Sequence, residues 1–163
     1  MKIMVFLEGT ATAHKLSVGH SREEVVKQAR HKVVTPGYFA EFIPIGDAIK
    51  KITSWKNQGA EILYLTSRRK SDQIDDVRQV LKKYNFPEGK FLFRQEGEEY
   101  KDVAERMVPD VLVEDDCESL GGVDELTITH VKPEIKRRIK SIVIKEFAGI
   151  DHLPDDISEL MAY

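Results

Sequence analysis

Short runs of apolar residues alternate with amphipathic stretches along this chain. The clearest runs lie at residues 3–7, 62–65 and 111–113. Each run is unbroken, which is typical of a strand buried on both faces of a parallel sheet. The first run predicts the central strand of such a sheet, and the other two predict its neighbours.

The segments between these runs predict helices. Ser21 and Glu24 form a capping box, and Asp47 and either Ser71 or Asp72 are predicted to cap the next two helices. The alternation predicts βαβ crossovers and an α/β fold, a three-layer Rossmann-like parallel sheet with helices on both faces. Predicted helices lie at residues 21–31, 47–58, 71–84, 98–107 and 133–138, and further strands at 91–93, 126–131 and 141–147.

Polar side chains follow each of the three main strands. In open α/β sheets, ligands bind outside the carboxyl ends of the strands, so these side chains should meet in one cleft. The cleft would combine carboxylates, hydroxyls and a cation. The residues are Glu8 and Thr10 after the first strand, Thr66, Ser67 and Arg68 after the second, and Glu114, Asp115 and Asp116 after the third.

The composition limits the class of protein. With 163 residues, 41% hydrophobic and 33% charged, the chain suits a single globular domain over residues 1–163. The net charge of −3 produces no field that would attract nucleic acid or anionic lipid. The apolar stretches are too short to span a membrane, and Met1 leads directly into a strand without a signal peptide. We therefore expect a cytoplasmic protein.

Four motifs at the predicted sheet edge resemble those of the haloacid dehalogenase superfamily of phosphatases and related phosphoryl-transfer enzymes. That family ends its first strand in D-x-D-G-T, which residues 6–10 (FLEGT) resemble. Thr66, Ser67 and Arg68 match the second motif. Lys101 matches the third, and residues 111–116 (VLVEDD) match the fourth. The order along the chain is that of the family.

The resemblance implies a Mg²⁺-dependent phosphoryl-transfer site. Carboxylates at adjacent strand ends supply the oxygen ligands that Mg²⁺ prefers. The position of the general acid/base corresponds to Glu8. The implied phosphate contacts are Thr10, Thr66, Ser67, Arg68 and Lys101, and the implied metal ligands are Glu8, Asp115 and Asp116.

One position departs from the family in a way that affects function. Phe6 stands where the family has its nucleophilic Asp, and a phenyl ring can neither attack phosphorus nor bind a metal. Our leading hypothesis is a phosphatase-like domain with a degenerate active site. It would bind a phosphorylated small molecule and, weakly, Mg²⁺ without efficient turnover. Two alternatives stay open: an active phosphoric-monoester hydrolase in which Glu8 or a metal-bound water attacks, and a non-enzymatic protein-interaction module.

The segment after the first motif is open to two interpretations. In the resembling family, insertions at this point form caps over the active site. Residues 11–45 would be either a minimal cap, with His14 and His20 near the cleft, or a surface excursion packed on the core. Cys117, the only cysteine, is expected to be a packing residue because neighbouring carboxylates raise the pKa of a thiol.

Two further groups of residues suggest ligands or chemistry. The sequence R-x-x-G…KD, from Arg94 to Asp102, faintly resembles the phosphatase half of polynucleotide kinases and implies a nucleotide 3′-phosphate as ligand. The tail carries acidic residues beside a histidine, which form either a second metal or proton-transfer site or a solvated acidic end. These residues are Asp151, His152, Asp155 and Asp156.

Overall fold

A five-stranded parallel sheet organises the protein. The computed structural model describes residues 1–163. The strands are β1 (Lys2–Phe6), β2 (Thr12–His14), β3 (Phe42–Pro44), β4 (Glu61–Leu65), β5 (Lys90–Leu92), β6 (Val111–Asp115) and β7 (Lys140–Ile144). The helices are α1 (Arg22–Arg30), α2 (Ala48–Asn57), α3 (Ser71–Lys83), α4 (Tyr100–Met107), α5 (Thr127–His130), α6 (Pro133–Lys136) and α7 (Ile157–Leu160).

The strand order in the main sheet is β5-β4-β1-β6-β7, so β1 is central as predicted. Met4 pairs with Leu63 on one side and with Leu112 on the other, both in parallel register. Because neighbouring side chains of a strand point to opposite faces, β1 serves two cores. Val5 packs with the residues of α2 and α3, whereas Phe6 packs with those of α4 and α5. The predicted three-layer arrangement is therefore confirmed.

The insertion after β1 is itself a packed unit. β2 and β3 pair antiparallel, with Ala13 opposite Ile43. Phe39 and Phe42, which precede or begin β3, are buried in the larger core cluster. The segment therefore has its own small sheet attached to the main core.

The prediction of a strand at residues 126–131 is wrong. Residues Thr127–His130 form the short helix α5, because the buried Glu114 carboxylate accepts the N–H groups of Thr127 at 2.8 Å and Ile128 at 3.1 Å. The edge of β6 is taken instead by β7. The apolar residues Leu126, Ile128 and Val131 are all buried around this single helical turn. Their spacing in the sequence resembled the alternation of a strand.

The predicted helix caps are confirmed in one case out of three. Ser21 and Glu24 form the complete capping box of α1. The Asp47 side chain does not cap α2; the Asp151 carboxylate accepts the Asp47 N–H at 2.9 Å instead. The residue before α3 is Lys70, which provides no side-chain cap, so Ser71 and Asp72 already belong to the helix. No helix combines the length and apolar character that a bilayer span requires.

Candidate functional site

A cavity of about 510 Å³ lies at the carboxyl ends of β1, β4 and β6. The residues that follow or end these strands, including Glu8, Ser67 and Asp115, form its floor. The insertion contributes further wall residues, among them Lys32 and Phe39. The cavity therefore lies where ligands bind in open α/β sheets.

Glu8 has both carboxylate oxygens engaged at the end of β4. Its Oε1 accepts the hydroxyl of Thr66, and its Oε2 accepts the backbone N–H of Ser67 at 3.0 Å. The Arg68 Nε lies 3.9 Å from Oε1. In the resembling family, the motif matched by Thr66 and Ser67 holds the substrate phosphate. The hydroxyl and amide donors of this motif are here occupied by a side chain of the protein itself.

Phe6 presents an aromatic ring to the same cavity. The ring is only 8% exposed and meets Tyr100 edge to face, with 5.1 Å between ring centroids. This contact belongs to the second core cluster. The Phe6 side chain is thus part of the apolar packing.

Two arginines lie over aromatic rings beside this floor. The Arg94 guanidinium carbon lies 3.9 Å from the ring centroid of Tyr100, and that of Arg68 lies 4.2 Å from the centroid of Phe39. Both are also tied to Ser67: Arg68 donates to its hydroxyl, and Arg94 donates to its carbonyl oxygen at 3.0 Å. Cation–π stacking and these hydrogen bonds fix both guanidinium groups.

Asp115 lies under the loop that follows β1. Its Oδ2 accepts the Thr10 hydroxyl at 2.9 Å, and its Oδ1 accepts the Cys117 N–H at 3.0 Å. Burial raises the pKa of Asp115 to about 6. Gly9 has a φ of +88°, and a Cβ there would lie 2.7 Å from Oδ2 of Asp115, so only glycine lets the loop approach this carboxylate.

Three carboxylates could hold a metal ion. Oxygens of Asp115, Asp116 and Glu146 lie within 4.8 Å of one another, and an all-oxygen set suits Mg²⁺. All three also have internal partners. Thr10 and Cys117 donate to Asp115, Lys145 lies 3.0 Å from Asp116, and the Ser119 amide and hydroxyl donate to Glu146. The residues therefore fit a divalent cation that must displace existing contacts. Glu8 is not in this group.

The sequence-predicted site residues separate into two sets. Glu8, Ser67, Arg68, Glu114 and Asp115 line the cavity. The remaining four do not, contrary to the expectation that all would line one pocket. Thr10 and Thr66 are fully buried beneath it, each bonded to a carboxylate that lines it. Asp116 pairs with Lys145, and Lys101 pairs with Glu99 at 3.3 Å.

The other candidates have mostly structural surroundings. His14 lines the cavity, stacks on Tyr38 at 4.3 Å and accepts the Leu16 N–H through Nδ1, so its neutral form carries the proton on Nε2. His20 also lines the cavity. Burial and the neighbouring Asp115 raise the pKa of Cys117, which keeps the thiol protonated.

The acidic residues of the C-terminal tail contact α2 and cap α7. Asp151 holds the start of α2, and Asp155 pairs with Lys51 at 2.5 Å. Asp156 caps α7 through the N–H of Ser158. None of these carboxylates lines the cavity.

Sequence reasoning missed Glu146 and Tyr100. Glu146 follows β7, so the rule that polar residues at strand ends meet in the cleft could have identified it. Tyr100 begins α4, and only the fold brings it against Phe6.

Comparison with known proteins gives similarity of structure only. No family model matches the chain, and no curated protein is significantly similar to it in sequence. The chain resembles a class C acid phosphatase from Bacillus anthracis with tungstate bound, with a TM-score of 0.54 and 15% identity over 91% of this chain and 68% of that one.

The chain also resembles a chain of the Pnkp1/Rnl/Hen1 RNA repair complex. The TM-score is 0.56, with 11% identity over 89% of this chain and 42% of the other. A second structure of that complex gives a TM-score of 0.53 and 13% identity over 89% and 46%. The protein thus spans less than half of the RNA repair chains that it matches. Together with the parallel sheet, these similarities show an α/β, Rossmann-like fold that the chain shares with these structures.

Proposed function

We propose that this domain binds a phosphorylated small molecule in the cavity without hydrolysing it efficiently. The observation that carries the proposal is the pair of hydrogen bonds that Glu8 accepts from Thr66 and Ser67, beside a phenylalanine at the nucleophile position. A covalent phosphatase needs a free carboxylate at that position and free donors for the phosphate oxygens. In this protein position 6 is a phenylalanine, and the Thr66 and Ser67 donors already bond to Glu8.

Loss of the nucleophile should be severe. Enzymes accelerate phosphate-monoester hydrolysis by up to about 10²¹-fold, whereas a protease deprived of its catalytic triad keeps only about 10³ to 10⁴. The remaining polar groups of this site cannot supply the rate acceleration that a covalent mechanism provides. Binding is therefore the property that we expect the site to retain.

The cavity suits a small organic phosphate. Ligand sites commonly measure about 300 to 1,000 Å³ and combine apolar walls with a few polar groups. This cavity has aromatic walls, including Phe39 and Tyr100, and three cationic side chains, Lys32, Arg68 and Arg94. Mg²⁺ would be held by Asp115, Asp116 and Glu146, where its charge would help to neutralise phosphate.

Phenyl phosphate tests the proposal because it joins a phosphate dianion to an aromatic ring. Calorimetric titration of the full chain, with and without MgCl₂, should give saturable binding. A parallel assay of released phosphate should remain at the buffer rate. Rapid phosphate release would instead favour the hydrolase with a rerouted mechanism. Absence of binding to phenyl phosphate and to other phosphomonoesters would favour the interaction module.

A further inference from the structure

The positive side of the cavity consists of two arginines that share one anchoring residue. Arg68 donates from Nε and Nη2 to the Ser67 hydroxyl at 3.1 and 2.6 Å, and Arg94 donates from Nη2 to the Ser67 carbonyl oxygen at 3.0 Å. Their guanidinium groups are therefore held close to each other. Two like charges in a partly buried site repel each other, and an anion between or beside them offsets this repulsion.

The carboxylates of the protein neutralise this pair incompletely. Glu8 approaches Arg68 at 3.9 Å, but its oxygens are directed to Thr66 and Ser67. Arg94 has no carboxylate partner, and its Nε is buried without any hydrogen bond. Burial, together with the charges of Arg69 and Arg68, lowers the pKa of Arg94, although the group stays charged. A buried donor without a protein partner is available to an acceptor atom from outside the chain.

We propose that the phosphate of the ligand binds to Arg68 and Arg94 rather than to the donors of Thr66 and Ser67. This inference rests on the proposed function and adds the position and chemical class of the ligand. The ligand is a phosphate monoester whose organic group is apolar and planar. Its phosphate accepts hydrogen bonds from the guanidinium edges that remain free, which include the two Nη1 groups and Nε of Arg94.

The stacking of the arginines explains why this position is organised for binding. The Tyr100 ring covers one face of Arg94, and the Phe39 ring covers one face of Arg68. Each guanidinium is thereby held in one orientation before the ligand arrives, which reduces the entropy lost on binding. The aromatic rings of Phe6 and Phe39 line the same cavity and offer apolar surface to the organic group. Phenyl phosphate should therefore bind more tightly than inorganic phosphate.

The test measures the dissociation constants of phenyl phosphate and inorganic phosphate by calorimetry in five proteins. They are the wild type, Arg68→Gln, Arg94→Gln, Thr66→Val and the control Arg69→Gln. Arg69 is a matched control because it is adjacent to Arg68, carries the same charge and bonds outside the cavity to the Glu98 carbonyl oxygen. We expect each of the two cavity variants to weaken binding by about tenfold or more, since a charge-assisted hydrogen bond to the phosphate is lost. Arg69→Gln should change the affinity less than about twofold. Thr66→Val should weaken binding less than either cavity variant does.

The outcomes separate this inference from the proposed function. Wild-type binding that survives both Arg variants but is lost in Thr66→Val would overturn the arginine site and leave phosphate binding intact. Failure of the wild type to bind either probe would overturn both. Circular dichroism of each variant checks that it folds. Arg94→Lys, which keeps the charge without the planar fork, should bind with intermediate affinity. If Arg94→Lys bound as the wild type does, the role given to the stacked, planar guanidinium would be overturned.

Discussion

In the motif comparison made from the sequence, Phe6 and Glu8 correspond to the two aspartates of D-x-D-G-T. The first is part of an aromatic contact with Tyr100, and the second is an internal ligand for Thr66 and Ser67. We expect the two departures to act together, because a nucleophile at position 6 would attack a phosphate held by the Thr66 and Ser67 donors, and Glu8 already accepts hydrogen bonds from both. Reversal of one departure alone should therefore achieve little.

The double variant Phe6→Asp/Glu8→Asp should gain Mg²⁺-dependent release of phosphate from phenyl phosphate. The new carboxylate at position 6 would supply the nucleophile, and the side chain at position 8, shortened by one methylene, would free the Thr66 and Ser67 donors. The gain would be modest, because the surrounding contacts of the site are not arranged for catalysis. A colorimetric phosphate assay measures it, with each single variant beside the double one.

The matched control is Phe6→Asn/Glu8→Asp, which resembles the double variant in shape but has no nucleophile. Equal activity of the two double variants would contradict a covalent role for position 6. Rapid hydrolysis by the wild type that persists in Glu8→Gln would place the chemistry elsewhere in the protein.

Asp115 should make the stability depend on pH in an identifiable direction. Burial raises its pKa from 3.8 to about 6, so between these values the native state keeps a proton that the unfolded state has lost. The stability from this group is fully present below the unfolded pKa and is lost as the pH rises to about 6. The full difference corresponds to about 3 kcal/mol. Asp115→Asn should therefore become more stable relative to the wild type, by up to that amount, between about pH 4 and pH 7.

Urea denaturation of both proteins across this pH range measures the effect. Asp116→Asn is the control with the opposite sign. Although burial opposes it, the hydrogen bond from Lys145 lowers the pKa of Asp116, so its contribution is lost as the pH falls. A constant stability difference between wild type and Asp115→Asn would contradict a raised pKa.

At the scale of elements, unbroken apolar runs predicted the sheet well. Residues 3–7 and 62–65 bury nearly all of their side chains, as strands covered on both faces do. α5 was mispredicted because it is held by a distant partner, Glu114, rather than by its own sequence. A helix of four residues has too little intrinsic helix stability to be predicted from its own sequence, and the carboxylate that stabilises it lies on another element.

The capping predictions had the same limit. The capping box of α1 is local, with Ser21 and Glu24 three residues apart, and it was readable from the sequence. The N-terminus of α2 is held by Asp151, which is 104 residues away. The acidic residues of the tail consequently looked available for chemistry when they in fact support a helix.

At the scale of the molecule, the strand-end motifs located the site but not its internal bonds. The parallel strands bring Glu8, Ser67, Arg68 and Asp115 to one cavity. This placement depends on the backbone topology and not on the side-chain conformations. The sequence could not show that Glu8 turns toward Thr66 or that Lys101 turns toward Glu99. Those choices depend on side-chain distances that only the folded chain defines.

The tail should govern stability and leave ligand binding unchanged. Leu160 is fully buried in the larger core cluster, and Lys51 of α2 donates to the Leu153 carbonyl oxygen at 2.6 Å. Leu160→Ala should lower the free energy of unfolding by about 2 to 5 kcal/mol, because the lost methyl groups leave a cavity. The dissociation constant of phenyl phosphate, measured below the unfolding transition, should stay that of the wild type. The exposed His152→Ala variant should change neither quantity, and a loss of binding in that variant would return the tail to the candidate site.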